Sequence, residues 1–331
     1  MRMNLARSGA LALILMLSSL FGAPEAAETD VPVWRVPDVG ALPDDARGRQ
    51  IRRGRALVTR TPEFIGPDAP DAADRFAGND LACGNCHLDA GAKKFGLPLY
   101  GLGDAFPHYS ARNGADISIE ERLNSCMTRS LNGRALPTDS AQMRDLVAYV
   151  EFLSSGTKKG ETLAGHGAGD MAELDRAADP ARGEKIYTVV CSACHTQTGA
   201  GLLRDPRASQ LGYTVPPLWG DGSFNDGAGM ARLITMANFV HSNMPSGSDY
   251  LSPNVSVEDA WDVAAYVESK PRPQKAGLDH DFPDLLDKPI DTAYGPYADG
   301  FSEAQHKYGP YAPIRAKVAG LKAEQEKSGT K

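Results

Sequence analysis

Hydrophobic and polar residues follow one another at helical spacing in several stretches, which long loops rich in glycine and proline separate. The stretches that predict helices are residues 44–59, 118–131 and 140–154. The second of these opens with Ser118 and Glu121, which form a capping box for the first free backbone N–H groups. The pattern therefore predicts a mainly α-helical protein.

The same pattern occurs twice along the chain. Residues 53–58 (RGRALV) have a counterpart in residues 182–187 (RGEKIY), and residues 145–151 (DLVAYVE) have one in residues 262–268 (DVAAYVE). Gly54 and Gly183, which take the same place in the first pair of segments, would each let two helices approach closely. This internal repeat predicts that one small helical domain is used two times.

A Cys-x-x-Cys-His motif lies in each unit of the repeat. Two thiols at this spacing add to the vinyl groups of one haem, and the histidine becomes the proximal ligand of the iron. The alternative is a redox Cys-x-x-Cys or half of a zinc site, but neither copy has the second nearby Cys/His pair that zinc requires. Two covalently bound haem c groups are therefore predicted, held by Cys83, Cys86 and His87 and by Cys191, Cys194 and His195.

The repeat and the motifs together predict two tandem class I cytochrome c domains with long loops and a C-terminal extension that wraps around them. The glycine-rich segment between the domains is expected to be a linker. The extension has many prolines and little helical pattern before about Ile314. The predicted bounds are 40–158 for the first domain, 159–179 for the linker, 180–270 for the second domain and 271–331 for the extension.

Residues 1–27 are predicted to be a signal peptide. Arg2 and Arg7 precede the apolar stretch from Ala10 to Phe21, which is too short to span a bilayer, and small residues follow it. An uncleaved membrane anchor is the alternative. Export fits c-type haem, which is attached outside the bacterial cytoplasm, so we expect a periplasmic protein with no membrane span after signal cleavage.

The composition narrows the possible functions. The chain has a formal net charge of -7 and no basic tract, which argues against nucleic-acid binding. An anionic substrate would therefore have to meet a local cluster of arginines. Aromatic residues make up only 7% of the chain, which suits small domains in which the porphyrin supplies part of the apolar core.

One cysteine has no place in the two haem motifs. The chain has five cysteines, of which two haems use four, so Cys126 is left over. An odd cysteine in an exported protein indicates a reactive thiol, an intermolecular disulfide or a metal ligand. On the predicted helix, Cys126 shares one face with Arg122, Arg129 and Ser130.

Each haem iron also needs a distal ligand. For the second haem the best candidate is Met244, in the stiff segment NMPSG, and its rivals are Met230, Met236 and His241. The first domain has Leu136 before proline at the equivalent place, so its ligand must come from elsewhere. The position on a helix that should face the haem favours Cys126 over Met127, Met143 and His108.

These residues resemble the thiosulfate dehydrogenases, a family of periplasmic dihaem cytochromes. The resemblance spans about residues 40–315, and its most specific part is the cysteine flanked by arginines. The segments that carry it are 112–114 (RNG), 121–126 (ERLNSC), 129–137 (RSLNGRALP), 216–220 (PPLWG), 223–230 (SFNDGAGM), 243–245 (NMP) and 294–301 (YGPYADGF).

The resemblance implies the oxidative coupling of two thiosulfates to tetrathionate, in a reaction that can run in both directions. It implies axial ligation of the catalytic first haem by His87 and Cys126. It implies axial ligation of the second haem by His195 and Met244, with electrons leaving from there to a small periplasmic acceptor such as a cytochrome c.

Three further positions match residues that line the active site of the family, namely Arg112, Arg122 and Ser130. One position departs from the pattern of the family. Some members have a lysine just before the methionine of the second haem, and that lysine can ligate the iron. Asn243 stands there in this chain, so we expect the second haem to stay ligated by methionine.

The chemistry of coupling gives the arginines a role. Two thiosulfate dianions a few ångströms apart repel each other by several kcal/mol, and guanidinium groups near Cys126 can offset this repulsion. Haem propionates are anions too and are the alternative partners of Arg112, Arg122 and Arg129. We expect Cys126 to be both ligand and nucleophile: its thiolate leaves the iron and bonds to one thiosulfate, and the second thiosulfate then displaces it.

Three other functions remain open from the residues alone. A dihaem electron carrier would need neither a thiolate ligand nor an arginine face. A sulfur-oxidation cytochrome would load thiosulfate onto a carrier protein and would form no tetrathionate without it. A dihaem peroxidase would have an open or histidine-ligated haem and would respond to peroxide.

Overall fold

Helices form the framework of the protein in this computed structural model, which describes residues 33–159, 161 and 163–329. The predicted signal peptide lies outside the described residues. From Trp34 onward these residues belong to one unit. Its helices are α1 (Ala46–Thr59), α2 (Thr61–Ile65), α3 (Leu88–Gly91), α4 (Ile119–Arg129), α5 (Ala141–Leu153), α6 (Pro180–Ile186), α7 (Ser192–His195), α8 (Leu233–Asn243), α9 (Val257–Glu268), α10 (Glu303–Tyr308) and α11 (Ala312–Ser328).

Strands are few and short in the part of the chain that the structure describes. β1 (His108–Ser110) pairs antiparallel with β2 (Ala115–Ile117), and β3 (Leu202–Leu203) pairs antiparallel with β4 (Tyr213–Val215). The prediction of a mainly α-helical class is confirmed. Among the described helices, none has both the length and the apolar character that crossing a membrane requires.

The three predicted helices are present, and local signals set where they begin. α1, α4 and α5 start after Asp45, Ser118 and Ser140, and each of these side chains accepts a hydrogen bond from a backbone N–H of its own first turn. The capping box of α4 is complete, because the Glu121 carboxylate accepts in return from the backbone N–H of Ser118 at 2.7 Å.

The repeat appears as two close helix crossings. α1 packs on α5 at Gly54, where an added Cβ would lie only 2.0 Å from the carbonyl oxygen of Asp145. α6 packs on α9 at Gly183, where an added Cβ would lie 1.9 Å from the carbonyl oxygen of Asp262. No larger residue fits at either glycine without moving a backbone, so both positions require glycine.

The segment predicted to be a linker packs against both halves of the chain. The carbonyl of Gly165 accepts a hydrogen bond from the backbone N–H of Phe95 at 2.6 Å. On the other side, the backbone N–H of Met171 donates to the side chain of Asn238 at 2.8 Å. The bounds that we predict for the linker and for the two domains stay predictions.

The C-terminal extension is ordered and contacts both halves. Its Asp281 pairs with Arg129 of α4 at 2.7 Å, and its Asp291 pairs with Arg232, which precedes α8, at 2.8 Å. Ile314, on α11, is fully buried in the hydrophobic core. α11 continues to Ser328, so the C-terminal extension is not made of loops alone and ends in a long helix.

Candidate catalytic haem site and electron exit

The first haem motif lies in a tight turn that its own side chains hold. The side chain of Asn85 accepts from the backbone N–H of Ala82 at 2.7 Å, and the hydroxyl of Thr61 accepts from the N–H of Cys83 at 3.0 Å. His87 Nδ1 donates to the carbonyl of Leu97. This bond places the ring proton of a neutral imidazole on Nδ1, so Nε2 is the nitrogen that would bind an iron atom.

In the second motif the histidine is held in the same way, but a different element precedes the motif. A π-helical turn, Tyr187–Cys191, runs into α7, which ends at His195. His195 Nδ1 donates to the carbonyl of Pro216 at 3.0 Å, which again leaves Nε2 free. Burial lowers the pKa of His195, so its imidazole is neutral and can ligate iron.

Cys126 lies on α4 with a cation beside it, since Arg122 Nη1 is 3.1 Å from its Sγ. Burial alone would raise the pKa of this thiol, but the charge of Arg122 and a hydrogen bond with the His87 imidazole outweigh burial and lower it to about 6. The motif thiols differ: burial raises the pKa of Cys83 to about 11 and that of Cys86 to about 12. Cys126 is therefore the thiolate of the first site.

These residues fit a haem c group. The imidazole of His87 and the thiol of Cys126 are close enough to interact directly, and both are side chains that can ligate haem iron. Cys126 also raises the pKa of Cys83 and Cys86, so its thiol lies close to both motif thiols. Cys83 and Cys86 would hold the haem through two thioether bonds, and His87 and Cys126 would be available to ligate its iron.

The three arginines predicted near Cys126 have different surroundings. Arg129 is only 8% exposed; it pairs with Asp281 at 2.7 Å and donates to the carbonyl of Gly227 at 3.0 Å, so its charge is balanced and its position fixed. Arg112 is farther from the same carboxylate, with 3.7 Å between its Nε and Asp281 Oδ2. Burial and the neighbouring Arg129 lower the pKa of Arg112, which indicates an excess of positive charge.

Several residues of this site come from the C-terminal extension, and sequence reasoning did not assign them a role. Tyr294 donates its hydroxyl proton to Asp281 at 2.7 Å, and the backbone N–H of Phe282 donates to the carbonyl of Arg112 at 2.9 Å. Lys288 is buried among aromatic rings, with its Nζ 4.7 Å from the centre of the Tyr294 ring. The segment YGPYADGF was the one signal in the sequence that pointed to this region.

The remaining candidates of the first site lie as follows. Ser130 caps α4, and its backbone carbonyl accepts from the side chain of Asn79 at 3.1 Å. Met127 and Met143 are enclosed in the hydrophobic core. His108 is exposed on β1 and packs against the ring of Phe106. The structure therefore brings Cys126 and Arg122 together, with Arg112 close to Arg122.

Met244 directly follows α8, and its backbone N–H closes that helix by donating to Val240 at 2.9 Å. Its side chain is half-buried and packs against the core. The rivals Met230 and Met236 are buried core residues, and His241 Nδ1 donates to the carbonyl of Val255 at 2.8 Å.

Comparison with known proteins identifies the domains. Residues 74–158 match the family SoxA/TsdA, cytochrome c domain, and residues 178–267 match the family cytochrome C oxidase, cbb3-type, subunit III. The prediction of two tandem cytochrome c domains is confirmed, and so is the prediction of two covalently bound haem c groups.

The chain is 42% identical over 253 residues to a thiosulfate dehydrogenase of Allochromatium vinosum, which covers 75% of this chain and 87% of that protein. It is 36% identical over 254 residues to one of Psychrobacter arcticus, which covers 76% of this chain and 72% of that protein. A solved structure of thiosulfate dehydrogenase (TsdBA) from Marichromatium purpuratum matches with a TM-score of 0.66 and 32% identity, over 74% of this chain and 51% of that one. The chain therefore belongs to the thiosulfate dehydrogenases, enzymes with two cytochrome c domains and two covalently bound haem c groups.

Proposed function

We propose that this enzyme couples two thiosulfates to tetrathionate at the first haem site, with Cys126 as the residue that bonds to substrate. The observation that carries the proposal is the guanidinium of Arg122 at 3.1 Å from Cys126 Sγ, on a helix that faces His87. A half-buried thiolate with a cation beside it can hold and exchange a sulfur anion.

The charges around Cys126 favour an anionic substrate. Arg122 lies beside Cys126 and interacts with Arg112, which is next to Arg129, and Asp281 is the carboxylate that pairs with Arg112 and Arg129. Because Asp281 already holds Arg129 in place, Arg122 and Arg112 are the guanidinium groups best placed to bind thiosulfate oxygens. Their charges would also offset the repulsion between two dianions during coupling.

The two haems supply the acceptors for the two electrons that coupling releases. In the first step, the thiolate of Cys126 and the outer sulfur of one thiosulfate form a sulfur–sulfur bond, and two electrons leave. In the second step, another thiosulfate attacks that outer sulfur and displaces Cys126 as a thiolate. The product is tetrathionate, and Cys126 regains its starting charge with Arg122 beside it.

The second domain would export the electrons. His195 and Met244 are the proposed axial ligands of its haem. Val189 and Val190 directly precede Cys191 and expose 82% and 38% of their surface, so an apolar face borders the second motif. A small periplasmic redox protein such as a cytochrome c can contact this face, and a periplasmic location would follow from the N-terminal signal sequence.

The experiment is an assay of tetrathionate formation by the purified holoprotein with an artificial electron acceptor. We expect Cys126→Gly to keep both haems attached and to lose turnover by on the order of a thousandfold, since the nucleophile is gone. Thr128→Ala, on the same helix, is the matched control and should keep near-normal turnover. Near-normal thiosulfate oxidation by Cys126→Gly would disprove the role of the cysteine.

The match to the SoxA/TsdA domain favours one second candidate, a cytochrome that loads thiosulfate onto a carrier protein. This function predicts that thiosulfate reduces the haems only when the carrier is present. Steady tetrathionate formation by the isolated protein would exclude it.

A further inference from the structure

Two loops, one from each haem domain, are in direct contact. The proximal loop, residues 88–97, follows the first haem motif and holds its histidine through the carbonyl of Leu97. The distal loop, residues 243–250, starts at Asn243, the last residue of α8, and contains Met244. A contact between these loops therefore joins the ligand environments of the two haems.

Three contacts connect the two loops. The side-chain amide of Asn243 donates from Nδ2 to the carbonyl of Phe95 at 2.9 Å. Lys93 donates from Nζ to the carbonyl of Ser248 at 3.3 Å. The rings of Phe95 and Tyr250 meet edge to face with their centres 4.7 Å apart. Asn243 makes its contact from deep inside the protein, since only 2% of its surface is exposed.

The side chain of Asn243 makes its hydrogen bonds through the amide nitrogen and not through the amide oxygen. Nδ2 donates to Phe95 and also to the carbonyl of Phe239 on α8 at 3.1 Å. Among the described residues, Oδ1 has no hydrogen-bond partner although it is buried. A buried acceptor without a partner destabilises the folded protein. The two hydrogen bonds that Nδ2 donates must therefore offset the cost of burying the asparagine side chain.

The proximal loop presents its carbonyl to Asn243 in a fixed orientation. Phe95 and Leu97 both lie in the left-handed backbone region, with φ of 55° and 51°, which is unfavourable for side chains of this kind. Their N–H groups are held by the carbonyls of Gly165 and Gly167 at 2.6 and 3.0 Å. His87 is thus connected to Asn243 by a hydrogen bond to Leu97, the backbone from Leu97 to Phe95, and a hydrogen bond from Asn243 to Phe95.

We propose that Asn243 is a positioning residue for the second haem, which ties the distal loop to the proximal loop of the first. The proposal rests on the ligation of the second haem by Met244. Asn243 is adjacent to Met244 and anchored on both sides, so it holds the methionine sulfur in the direction of the iron. The same bond is one of the contacts that join the two haem domains, so it helps to fix the path along which electrons cross between them.

The test uses the holoprotein with Asn243→Ala and Asn243→Asp. Three properties are measured: the charge-transfer band of the bond between thioether and iron, the reduction potential of the second haem, and the rate at which the second haem is reduced after mixing with thiosulfate. We expect a weakened band, a lower potential and transfer slowed by about tenfold, the change that loss of one net hydrogen bond would cause. Asn243→Asp should give the larger effect, because its carboxylate would face the carbonyl of Phe95.

Asn238→Ala is the matched control. Asn238 lies on the same helix, is 5% exposed, and binds Ile234 and Met171 through its side chain; among the described residues it makes no hydrogen bond to the proximal loop. We expect it to lower the melting temperature but to leave the band and the potential unchanged.

Two results would overturn the proposal, and they differ from each other. If Asn243→Ala changes only the melting temperature, as Asn238→Ala does, then the residue supports the fold and not the haem. If the unmodified protein has no such band, or Met244→Gly keeps it, then the ligand assignment itself is wrong. Neither result bears on tetrathionate formation, which depends on Cys126.

Discussion

The two cytochrome domains have the same helical frame but different surroundings for their haem motifs. Each frame has a glycine at a helix crossing, Gly54 in one and Gly183 in the other, and each proximal histidine binds a backbone carbonyl. The first motif lies near Cys126 and its neighbour Arg122, whereas the second is preceded by the exposed Val189 and contains the exposed Cys194. The frame therefore positions a haem, and the added side chains decide whether the site binds an anion or passes electrons outward.

The largest expected difference between the two sites comes from Arg122→Gln. This change removes the cation 3.1 Å from Cys126 Sγ, and we expect kcat/KM for thiosulfate to fall by about a hundredfold or more, as when a fixed charge at a reacting group is lost. The spectrum and potential of the second haem should not change. Arg182→Gln, on the exposed crossing of the second domain, is the control and should keep full activity. Equal losses in the two variants would contradict a special role for Arg122.

The next effect concerns Asp281→Asn, which takes the shared carboxylate from Arg112 and Arg129. Buried cations without a partner should lower the free energy of unfolding by about 3 kcal/mol, measured by chemical denaturation. KM for thiosulfate should rise several-fold, because Arg112 loses one of the groups that hold it. Asp291→Asn breaks a similar buried pair with Arg232 and should lower stability with KM unchanged. A rise in KM in both variants would show that loss of stability alone is the cause.

A smaller effect on turnover is expected from Met244→Gly. Thiosulfate should still bind and reduce the first haem, because the cluster around Cys126 is not touched, but export from the second haem should slow by about tenfold, equivalent to roughly 1.4 kcal/mol. Stopped-flow spectroscopy and redox titration measure the two haems separately. An unchanged potential of the second haem would mean that another residue ligates it.

Glu268→Gln should leave turnover unchanged and alter only how stability depends on pH. Burial raises the pKa of Glu268 from 4.5 to about 7, although Arg272 opposes the shift. The folded state therefore binds this proton more tightly than the unfolded state, so the stabilisation is complete below pH 4.5 and is lost as the pH rises through about 7. Melting temperatures of the variant should fall less across this range. If the melting temperatures of both proteins depend on pH in the same way, Glu268 does not have the raised pKa.

Local features of the chain could be predicted from the sequence. The capping box of Ser118 and the spacing of Arg122 and Cys126 depend on one turn of helix, and both were found where the pattern predicted them. Contacts between distant parts could not be predicted in this way. Arg129 and Asp281 are 152 residues apart, and Asn243 and Phe95 are 148 apart. Such pairs form through irregular loops, where no periodicity indicates which residues meet.

The carboxylate of Asp281 has a consequence for how the active site is assembled. Every proposed haem ligand precedes it in the chain, from His87 to Met244, so all of them have been synthesised before the counter-ion of the arginines exists. A chain shortened ahead of Asp281 would keep each ligand and leave Arg129 buried without its acidic partner. The arginines of the substrate site would therefore reach their final arrangement only after the segment that contains Asp281 has been synthesised and has packed against them.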